Sequence, residues 1–403
     1  MQFEIRSTEG SISLTLHNSE PGEFPYLETP GDYTTSELRD RAAHFGFDFR
    51  LSSEELIRAQ LNLRLARFNL VPHISAGSVL SIGAYGTQGV ITSVGELVPF
   101  LFPTHWIRVT ENAQLLNAQE YAFALVKLNS MQVTESLGMA LGRDQHLWTQ
   151  LKEDRALHFE IENEIQLLEQ LGKLQPGSLL AIQSAANNLD QAIANLESII
   201  PLESTALSTS VGFINPNAIT TLTVDILGDI EAPPELNITD LELRAVRASP
   251  EIRQIEALIA ASKTAKRSRA FQWTSPQGDP SGALGIGLST YIDIGSSHLR
   301  DLYTAKDRIH ALLLHKILDA IHDYRKSLDS HQFALKGVAI QTRRIQEARN
   351  SLQNHSINDI HDLRDALQLL VVNHANVLIA QYAWYNSLSK LNRLLREGPY
   401  SDI

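Results

Sequence analysis

Apolar residues recur at every third or fourth position through long parts of the chain, and this spacing predicts helices. One predicted helix runs from Thr104 to Leu171, and a second begins at Ser297 and continues for about fifty-five residues. Each is followed by a turn and a return helix, the first after Gly177 and the second from Asn358. At about 1.5 Å per residue the second return helix would reach on the order of 60 Å, much longer than an ordinary globular helix.

The second return helix shows this spacing for many turns. Its predicted buried stripe consists of Leu363, Ala366, Leu367, Leu370, Val371, His374, Val377, Leu378, Gln381, Tyr382, Tyr385 and Leu388. Long helices that turn back on themselves must bury such a stripe along their whole length, so each pair is expected to pack as an antiparallel coiled coil. One hairpin cannot bury both of its faces, and a solid helical rod is the alternative to an assembly of hairpins.

Two glycine-rich segments, 73–103 and 270–295, show a different pattern, in which apolar residues alternate with small or polar ones. A period of two predicts strands, and each segment can hold a strand hairpin. The alternation suits a membrane strand that faces lipid on one side and water on the other, but a half-buried soluble strand shows it too. Pro276 and Pro280 shorten the second hairpin. Both a shortened spanning β-barrel and a β end that does not cross the membrane therefore stay open.

The order of these elements repeats, which predicts a tandem duplication. The predicted fold is mainly α with a small β part, built from two long antiparallel helical hairpins that alternate with short strand hairpins. The predicted divisions are an N-terminal segment with a short strand in ISLTL (1–52), a first repeat (53–200, with a helix at 53–70, its strand hairpin at 73–103 and its helical hairpin at 104–200), a mixed connector (201–238), a second repeat (239–396, with a helix at 239–269, its strand hairpin at 270–295 and its helical hairpin at 297–396) and a tail (397–403). The first return helix is expected to stop at Pro201.

Composition excludes several classes of function. The 403 residues carry a formal net charge of -12, so nucleic acid is not an expected partner and cations are better guests than anions. The absence of cysteine excludes disulfides, thiolate zinc sites and cysteine nucleophiles. The sequence contains no uncharged apolar run of about eighteen residues, so no transmembrane helix is predicted. The first residues lack a secretory signal, so either the chain is not exported or a leader has been replaced by Met1.

Four short motifs of the chain resemble the motifs of one known protein family. QPGSLLAIQSAANNLDQA and HSINDIHDLRDALQLL are similar to the turn and return helix of that family, which begins with an Asp-x-x-Asp-Ala sequence. ASPEIRQIEAL resembles its Asn-Pro-Glu-Leu helix, with Ser249, Pro250, Glu251 and Ile252 in the motif, and YIDIGSSHLRDL resembles the exit from strand to long helix. The order and spacing of these motifs, over about residues 53–396, carry the resemblance, which is to the TolC-like outer membrane efflux proteins.

The resemblance implies a homotrimer in which every chain contributes four strands to one β-barrel and its helices to a hollow α-barrel tunnel. Such a duct crosses the outer membrane, contacts its lipid and extends into the periplasm of a Gram-negative cell. It works with a periplasmic adaptor (membrane fusion) protein and an inner membrane transporter, in efflux or in type I secretion. No enzyme, cofactor or metal is expected, and the sequence lacks the common catalytic and nucleotide-binding motifs. The alternative is a TolC-like periplasmic scaffold that conducts nothing.

The resemblance also implies which residues line the periplasmic entrance. Asp362 and Asp365 match acidic residues of the family, and three chains would form a ring of carboxylates that attracts cations. The alternative is that both acids only stabilise the positive end of a helix dipole. The expected entrance positions are Asp362, Asp365, Gln183, Gln353 and Asn358, the last three of which depart from the usual family residues.

The two tip turns are the expected contact surface for the adaptor. The residues concerned are Pro176, Gly177, Ser178 and Leu179 in the first turn and Ser356 and Ile357 in the second. Ser356 replaces the usual glycine of the second turn. His355 and His361, with Asp359 and Asp362 nearby, offer a metal site as an alternative, but scattered histidines make such coincidences common.

Overall fold

The computed structural model describes residues 3–8, 11–16, 30–70, 103–224, 230, 237–270, 287–352 and 359–401. The strands are β1 (Phe3–Thr8), β2 (Ser11–Leu16), β3 (Gly31–Thr34) and β4 (Ile219–Thr223). The helices are α1 (Thr35–Phe45), α2 (Phe47–Phe68), α3 (Pro103–Gln170), α4 (Ser178–Ser210), α5 (Ile238–Ala248), α6 (Pro250–Ala270), α7 (Gly287–Leu352) and α8 (Asp359–Leu395), followed by a 3-10 turn at Gly398–Tyr400.

The two strand pairs differ in kind. β1 and β2 form an antiparallel hairpin, which confirms the strand predicted from ISLTL. β3 and β4 are parallel and distant in sequence, and Gly31 pairs with Ile219. Thr34 ends β3 and caps α1, because its hydroxyl accepts from Glu37 N and the Glu37 carboxylate accepts from Thr34 N. This small sheet joins the N-terminal segment to the connector.

Two very long helices determine the shape of the chain. α3 has 68 residues and α7 has 66, so each extends about 100 Å. α4 folds back along α3 and α8 folds back along α7, as predicted. α8 also lies against α3 and α4, which joins the two hairpins, while α2 and α6 pack on α3. None of the helices in the described ranges is long and apolar enough to cross a membrane.

The core is divided along the helices rather than concentrated in one place. A central cluster surrounds the small β3–β4 sheet and contains Leu141, Leu207 and Tyr382. A tip cluster lies where both hairpins turn and draws residues from four helices. Its buried members are Ile161, Ile165, Leu174, Ile182, Ile345, Ala348, Leu352, Ile360, Leu363, Ala366, Leu367 and Leu370. Because all four helices share this cluster, the two tips are held together within one chain.

The structure corrects three predicted boundaries. α4 continues through Pro201 to Ser210, because Leu207 and the following turn are buried in the central cluster and hold the helix in place despite the lost hydrogen bond. The helix predicted at 239–269 is broken at Ser249, which precedes Pro250. The helix expected to begin at residue 53 already begins at Phe47, with α1 before it.

The strand prediction is wrong for residues 287–295, which form the first turns of α7. The alternation there is short, and Leu288 and Ile292 are also four residues apart, which is equally a helical spacing. The rest of the segment 270–295 and the whole strand hairpin predicted at 73–103 lie outside the described residues, apart from the ends at Ala270 and Pro103, which are helical.

Candidate functional site

The first tip turn is a compact link between α3 and α4. α3 ends at Gln170, and Gly172 follows with φ 66° while Lys173 N donates to Leu168 O at 2.9 Å. This is the Schellman arrangement, in which a residue in the left-handed region closes a helix and which favours glycine. Leu174 then turns inward and joins the tip cluster. The turn therefore has one buried anchor and an exposed outer surface.

Glu169 fixes the start of the return helix. Its carboxylate accepts hydrogen bonds from Gly177 N at 2.7 Å and from Leu179 N at 3.3 Å, so it supplies the cap that Gly177 cannot provide with a side chain. Gly177 itself has φ 96°, and Ser178 donates to Gln175 O at 2.7 Å. The predicted contact residues of this turn are thus held by defined bonds. Pro176 and Gly177 are exposed, whereas Ser178 and Leu179 are half-buried.

At the second tip the structure describes α8 from its first residue. Asp362 is exposed and Asp365 is half-buried, while Leu363 between them lies in the tip cluster. Arg364 donates to Asp365 Oδ1 from Nε at 2.9 Å and from Nη2 at 2.7 Å. The charge of Asp365 is therefore partly compensated by its neighbour, and Asp362 is the freer of the two carboxylates.

The other predicted positions divide into two groups. Gln183 is exposed on α4, close to the first tip. Gln353, Asn358, Ser356 and Ile357 lie outside the described residues, as does His355, so the second turn itself stays a prediction. In the described part of the chain no group of three or more histidine, aspartate or glutamate side chains is placed to hold a metal ion.

Polar side chains join the two hairpins, and among them His146, Gln150 and Asp154 were not predicted from the sequence. On the contact between α3 and α8, called here the α3–α8 seam, His374 Nδ1 lies 2.8 and 3.1 Å from the two carboxylate oxygens of Asp154. Gln150 Nε2 donates to Asp154 Oδ1 at 3.3 Å. Two turns further along, the Tyr382 hydroxyl lies 2.7 Å from His146 Nδ1. Burial, and the neighbouring Tyr385, raise the pKa of Tyr382 well above its usual range.

A sequence signal for this seam exists. Asp154 and His158 occupy core positions of α3 one turn apart and are almost fully buried, and His158 Nδ1 lies 2.9 Å from Asp154 O. His374 falls in the apolar stripe predicted for the return helix. Ionisable residues at core positions need partners, so the sequence predicts that Asp154 and His374 are each paired, and the structure shows that they pair with each other.

A second buried ionic group lies near the C-terminal end of α8, far from the tips. Arg393 Nη2 donates to Glu251 Oε1 at 3.1 Å and also to Asn129 Oδ1, so it ties α8 to α6 and α3. Burial alone would raise the pKa of Glu251, but the Arg393 charge and hydrogen bonds outweigh it and lower that pKa. The fully buried Tyr400 donates to Glu135 Oε2 at 2.5 Å and fixes the end of the chain.

This architecture also occurs in proteins of known structure. No protein-family model matches the chain, and no curated protein matches its sequence. Solved structures share its fold. The outer-membrane channel OprN superposes with a TM-score of 0.73 at 13% identity, over 90% of this chain and 90% of its own. The CmeC outer membrane channel of Campylobacter jejuni gives a TM-score of 0.70 at 12% identity, over 91% of this chain and 87% of its own.

The outer membrane protein VceC of Vibrio cholerae is similar in the same way, with a TM-score of 0.69 and 12% identity over 90% of this chain and 96% of its own. The likeness extends along nearly all of each chain, including both helical hairpins. At such identities it concerns the fold. The resemblance indicated by the motifs is thereby confirmed at the level of architecture: the chain has the fold of the TolC-like outer-membrane channels.

Proposed function

We propose that the chain is the outer membrane duct of a tripartite efflux pump or a type I secretion system. It is a passive conduit for exported molecules, spans the outer membrane and periplasm, and carries out no catalysis. The observation that carries the proposal is the likeness to three outer-membrane channels over nine-tenths of the chain. The tandem helical hairpins supply the wall of such a duct.

The exposed surface of one chain supports an assembly. Large apolar side chains are exposed along the long helices, and several are more than half exposed. They include Phe159, Leu167, Leu180, Leu202, Phe333 and Ile340. A soluble monomer seldom leaves so many large apolar side chains exposed to water. We therefore propose a homotrimer in which neighbouring copies cover part of this surface, and a molar mass measured in detergent would test it.

The tips are the proposed contact for a periplasmic adaptor, itself coupled to an inner membrane transporter. Pro176 and Gly177 project from the compact first turn, where the bonds to Glu169 make the backbone a defined surface. A preformed turn needs little ordering when it binds a partner. Site-specific cross-linking from position 176 to a candidate adaptor, with exposed Asp301 at the far end of α7 as the control position, would test this contact.

Conductance of the purified trimer in a planar bilayer is the decisive experiment. We expect discrete single-channel steps with a preference for cations. Replacing Asp362 and Asp365 by alanine should reduce block by multivalent cations, because the entrance then loses its carboxylate ring. The matched control replaces Asp301 and Asp307, two exposed acids far from the tips. Equal block in the tip variant and the control variant would assign Asp362 and Asp365 to helix stabilisation instead.

The second candidate function is a periplasmic scaffold that conducts nothing. It is favoured by the short space for strands around Pro276 and Pro280 in the second glycine-rich segment. Fractionation separates the two candidates. A duct, expressed with a leader, should stay in outer membranes after a carbonate wash at high pH and require detergent for release, whereas a scaffold should appear in the soluble periplasmic fraction.

A further inference from the structure

A cavity of about 360 Å³ lies in the groove between α2 and α3, beside the end of α4. Each of the two long walls is a stripe of four residues spaced at i, i+3, i+4 and i+7, so each wall is one face of a helix. The stripe of α2 consists of Asp48, Leu51, Ser52 and Glu55, and the stripe of α3 consists of Val126, Asn129, Ser130 and Val133. The last residue of α4, Ser210, completes the lining. A cavity of this volume can hold a small organic ligand.

Two separate carboxylates line the cavity. Asp48 and Glu55 are seven residues apart on one face of α2, so their backbone positions are about 10 Å apart along the helix axis. In the described part of the chain neither forms an ion pair, and Glu55 Oε2 accepts a hydrogen bond from the neutral Gln119 Nε2 at 3.0 Å. Arg393 reaches Asn129 at the edge of the cavity, but its charge is already paired with a carboxylate of α6. The spacing suits two cationic groups better than one metal ion, which holds its oxygen ligands at about 2.0–2.6 Å.

A buried hydroxyl without a partner lies between the two acids. Ser52 lines the cavity and is only 5% exposed, and within the described ranges its Oγ forms no hydrogen bond. Burial of a hydroxyl without a hydrogen bond is unfavourable, so a polar ligand in the cavity that bonds to Ser52 would be stabilised. Ser130 and Ser210 add two further hydroxyls to the same lining.

The rest of the lining is apolar. Leu51 and Val133 stand at the rim, where they are 68% and 51% exposed, and Val126 is half-buried. These side chains offer a carbon chain a surface that it can cover, and covering apolar surface contributes to binding. The cavity therefore combines two negative charges about 10 Å apart with an apolar and hydroxyl-bearing middle.

We propose that this cavity binds a linear diamine or polyamine, with one ammonium group on Asp48, another on Glu55 and the carbon chain along Leu51, Val126 and Val133. Alkyl ammonium groups stay protonated at neutral pH, as the lysine side chain does. A chain of six carbons, as in hexamethylenediamine, spans a distance similar to the separation of the two carboxylates. The role of the ligand as cargo rests on the proposed duct, whereas its binding is a property of the chain.

The cavity opens on the side of α3 that faces away from α1 and the tail. Leu128 and Met131 of α3 pack with Ala43 of α1 and with Tyr400. At 100° per residue, the four residues of α3 that line the cavity are centred about 180° from Leu128 and Met131. In the proposed duct, a layer formed by α1 and the tail would obstruct the tunnel from inside. That layer therefore lies outside, and the cavity faces the lumen.

Titration calorimetry of the full chain in detergent tests the binding. Hexamethylenediamine should bind with one site per chain. Hexylamine, which has the same carbon chain and a single ammonium group, should bind about tenfold more weakly or worse, because only one carboxylate is paired. Ethylenediamine, which is too short to reach both acids, should also bind more weakly. Added salt should weaken the binding of the diamine, since the carboxylates are exposed to solvent.

Variants identify the cavity as the site. Asp48→Asn combined with Glu55→Gln should raise the dissociation constant for hexamethylenediamine about tenfold or more. The matched control is Glu153→Gln combined with Glu160→Gln, because these two exposed acids of α3 have the same spacing and do not line the cavity. Ser52→Ala should raise the dissociation constant about fivefold, the effect of one lost hydrogen bond. Circular dichroism should show unchanged folding in all three variants.

Single-channel current tests the position in the duct. Hexamethylenediamine should reduce the current through the wild type and through the Glu153 and Glu160 variant. It should reduce the current less in the Asp48 and Glu55 variant, in which the acids at the tips are still present. An equal reduction in all three proteins would show that the cavity does not face the lumen.

The outcomes separate this inference from the proposed function. The inference is overturned if hexamethylenediamine does not bind, if hexylamine binds equally well, or if both double variants lose affinity equally. A protein that conducts but fails these binding tests keeps the duct and loses the site. A protein that passes them but does not conduct keeps the site and loses the duct.

Discussion

Replacing Arg393 by methionine tests the buried ion pair that joins α8 to α6 within the second repeat and the hydrogen bond that joins α8 to α3 of the first. The side chain is 7% exposed and bonds Glu251 of α6 and Asn129 of α3 from its place near the end of α8. Methionine keeps the length of the aliphatic stem and removes the charge. Glu251, whose side chain is 22% exposed, would then keep a negative charge in a poorly solvated place without its partner.

The expected cost follows from that burial. Breaking a buried ion pair by removing one partner costs about 3–5 kcal/mol, and the partial exposure of Glu251 puts the expected value near 3 kcal/mol. The matched control is Lys390→Met, one turn earlier on α8, where the Lys390 side chain is 40% exposed and its ammonium lies 3.9 Å from Asp323. An exposed pair of this kind contributes about 0–1 kcal/mol.

Chemical unfolding followed by circular dichroism, with all variants in the same oligomeric state, measures the difference. The double variant Arg393→Met with Glu251→Gln should recover part of the loss, because the unpaired charge is gone. Since Arg393 lowers the pKa of Glu251, the stabilising effect of the pair is present above the ordinary value of 4.5 and is lost as the pH falls through the lowered pKa. If Arg393→Met costs no more than Lys390→Met at neutral pH, the argument fails.

Three further outcomes are expected. Leu363 is fully buried in the tip cluster, so Leu363→Ala should lower the free energy of unfolding by about 2–5 kcal/mol. Leu369 lies on the exposed side of the same helix, so Leu369→Ala should lower it by about 0.5 kcal/mol or less. Burial and the charge of Asp144 raise the pKa of Glu203 to about 7, so the free energy of unfolding should fall as the pH rises from 4.5 to 7. Glu203→Gln should remove that dependence and gain about 1 kcal/mol at pH 8. A wild-type free energy of unfolding that does not change with pH in this range would contradict the prediction. Glu169→Ala should cost about 0.5–2 kcal/mol and increase proteolysis near Gly177, because two backbone N–H groups lose their acceptor; unchanged proteolysis would mean that the turn holds without this cap.

The helical part of the fold follows from the sequence because its signal is long and regular. None of the residues predicted to form the stripe of the second return helix is fully exposed, and Leu363, Ala366, Leu367, Leu370, Tyr382 and Tyr385 are buried. A shift of the predicted stripe by one residue would rotate it by about 100° around the helix axis, and it would then no longer match the apolar positions of the neighbouring turns. The duplicated order of elements is recognisable for the same reason.

Boundaries and polar partners do not follow from that signal. Proline has a local cost that predicts an end at Pro201, but the buried residues beyond it outweigh this cost through contacts that are distant in sequence. The partner of Asp154 stands on another helix more than two hundred residues away. Periodicity shows that such an acid lies inside the bundle, and only the packing of α8 on α3 identifies which base it meets.

The face of α8 that carries Asp365 continues beyond the candidate entrance. At 100° per residue, Asp365, Leu369, Val372 and Ile379 lie within one narrow sector of α8, away from the tip cluster, and the three apolar side chains are 43–52% exposed. The acids at the start of the helix therefore continue into a mainly apolar line, in which the exposed Asn376 is a polar member. If the carboxylates face the tunnel, this line faces it too, and a cation drawn in by Asp362 and Asp365 would next meet a mainly apolar surface on which Asn376 offers one amide oxygen. The acidic positions would then act as a selective entry, whereas the next turns of α8 would favour passage of less polar molecules, a combination suited to amphiphilic cations.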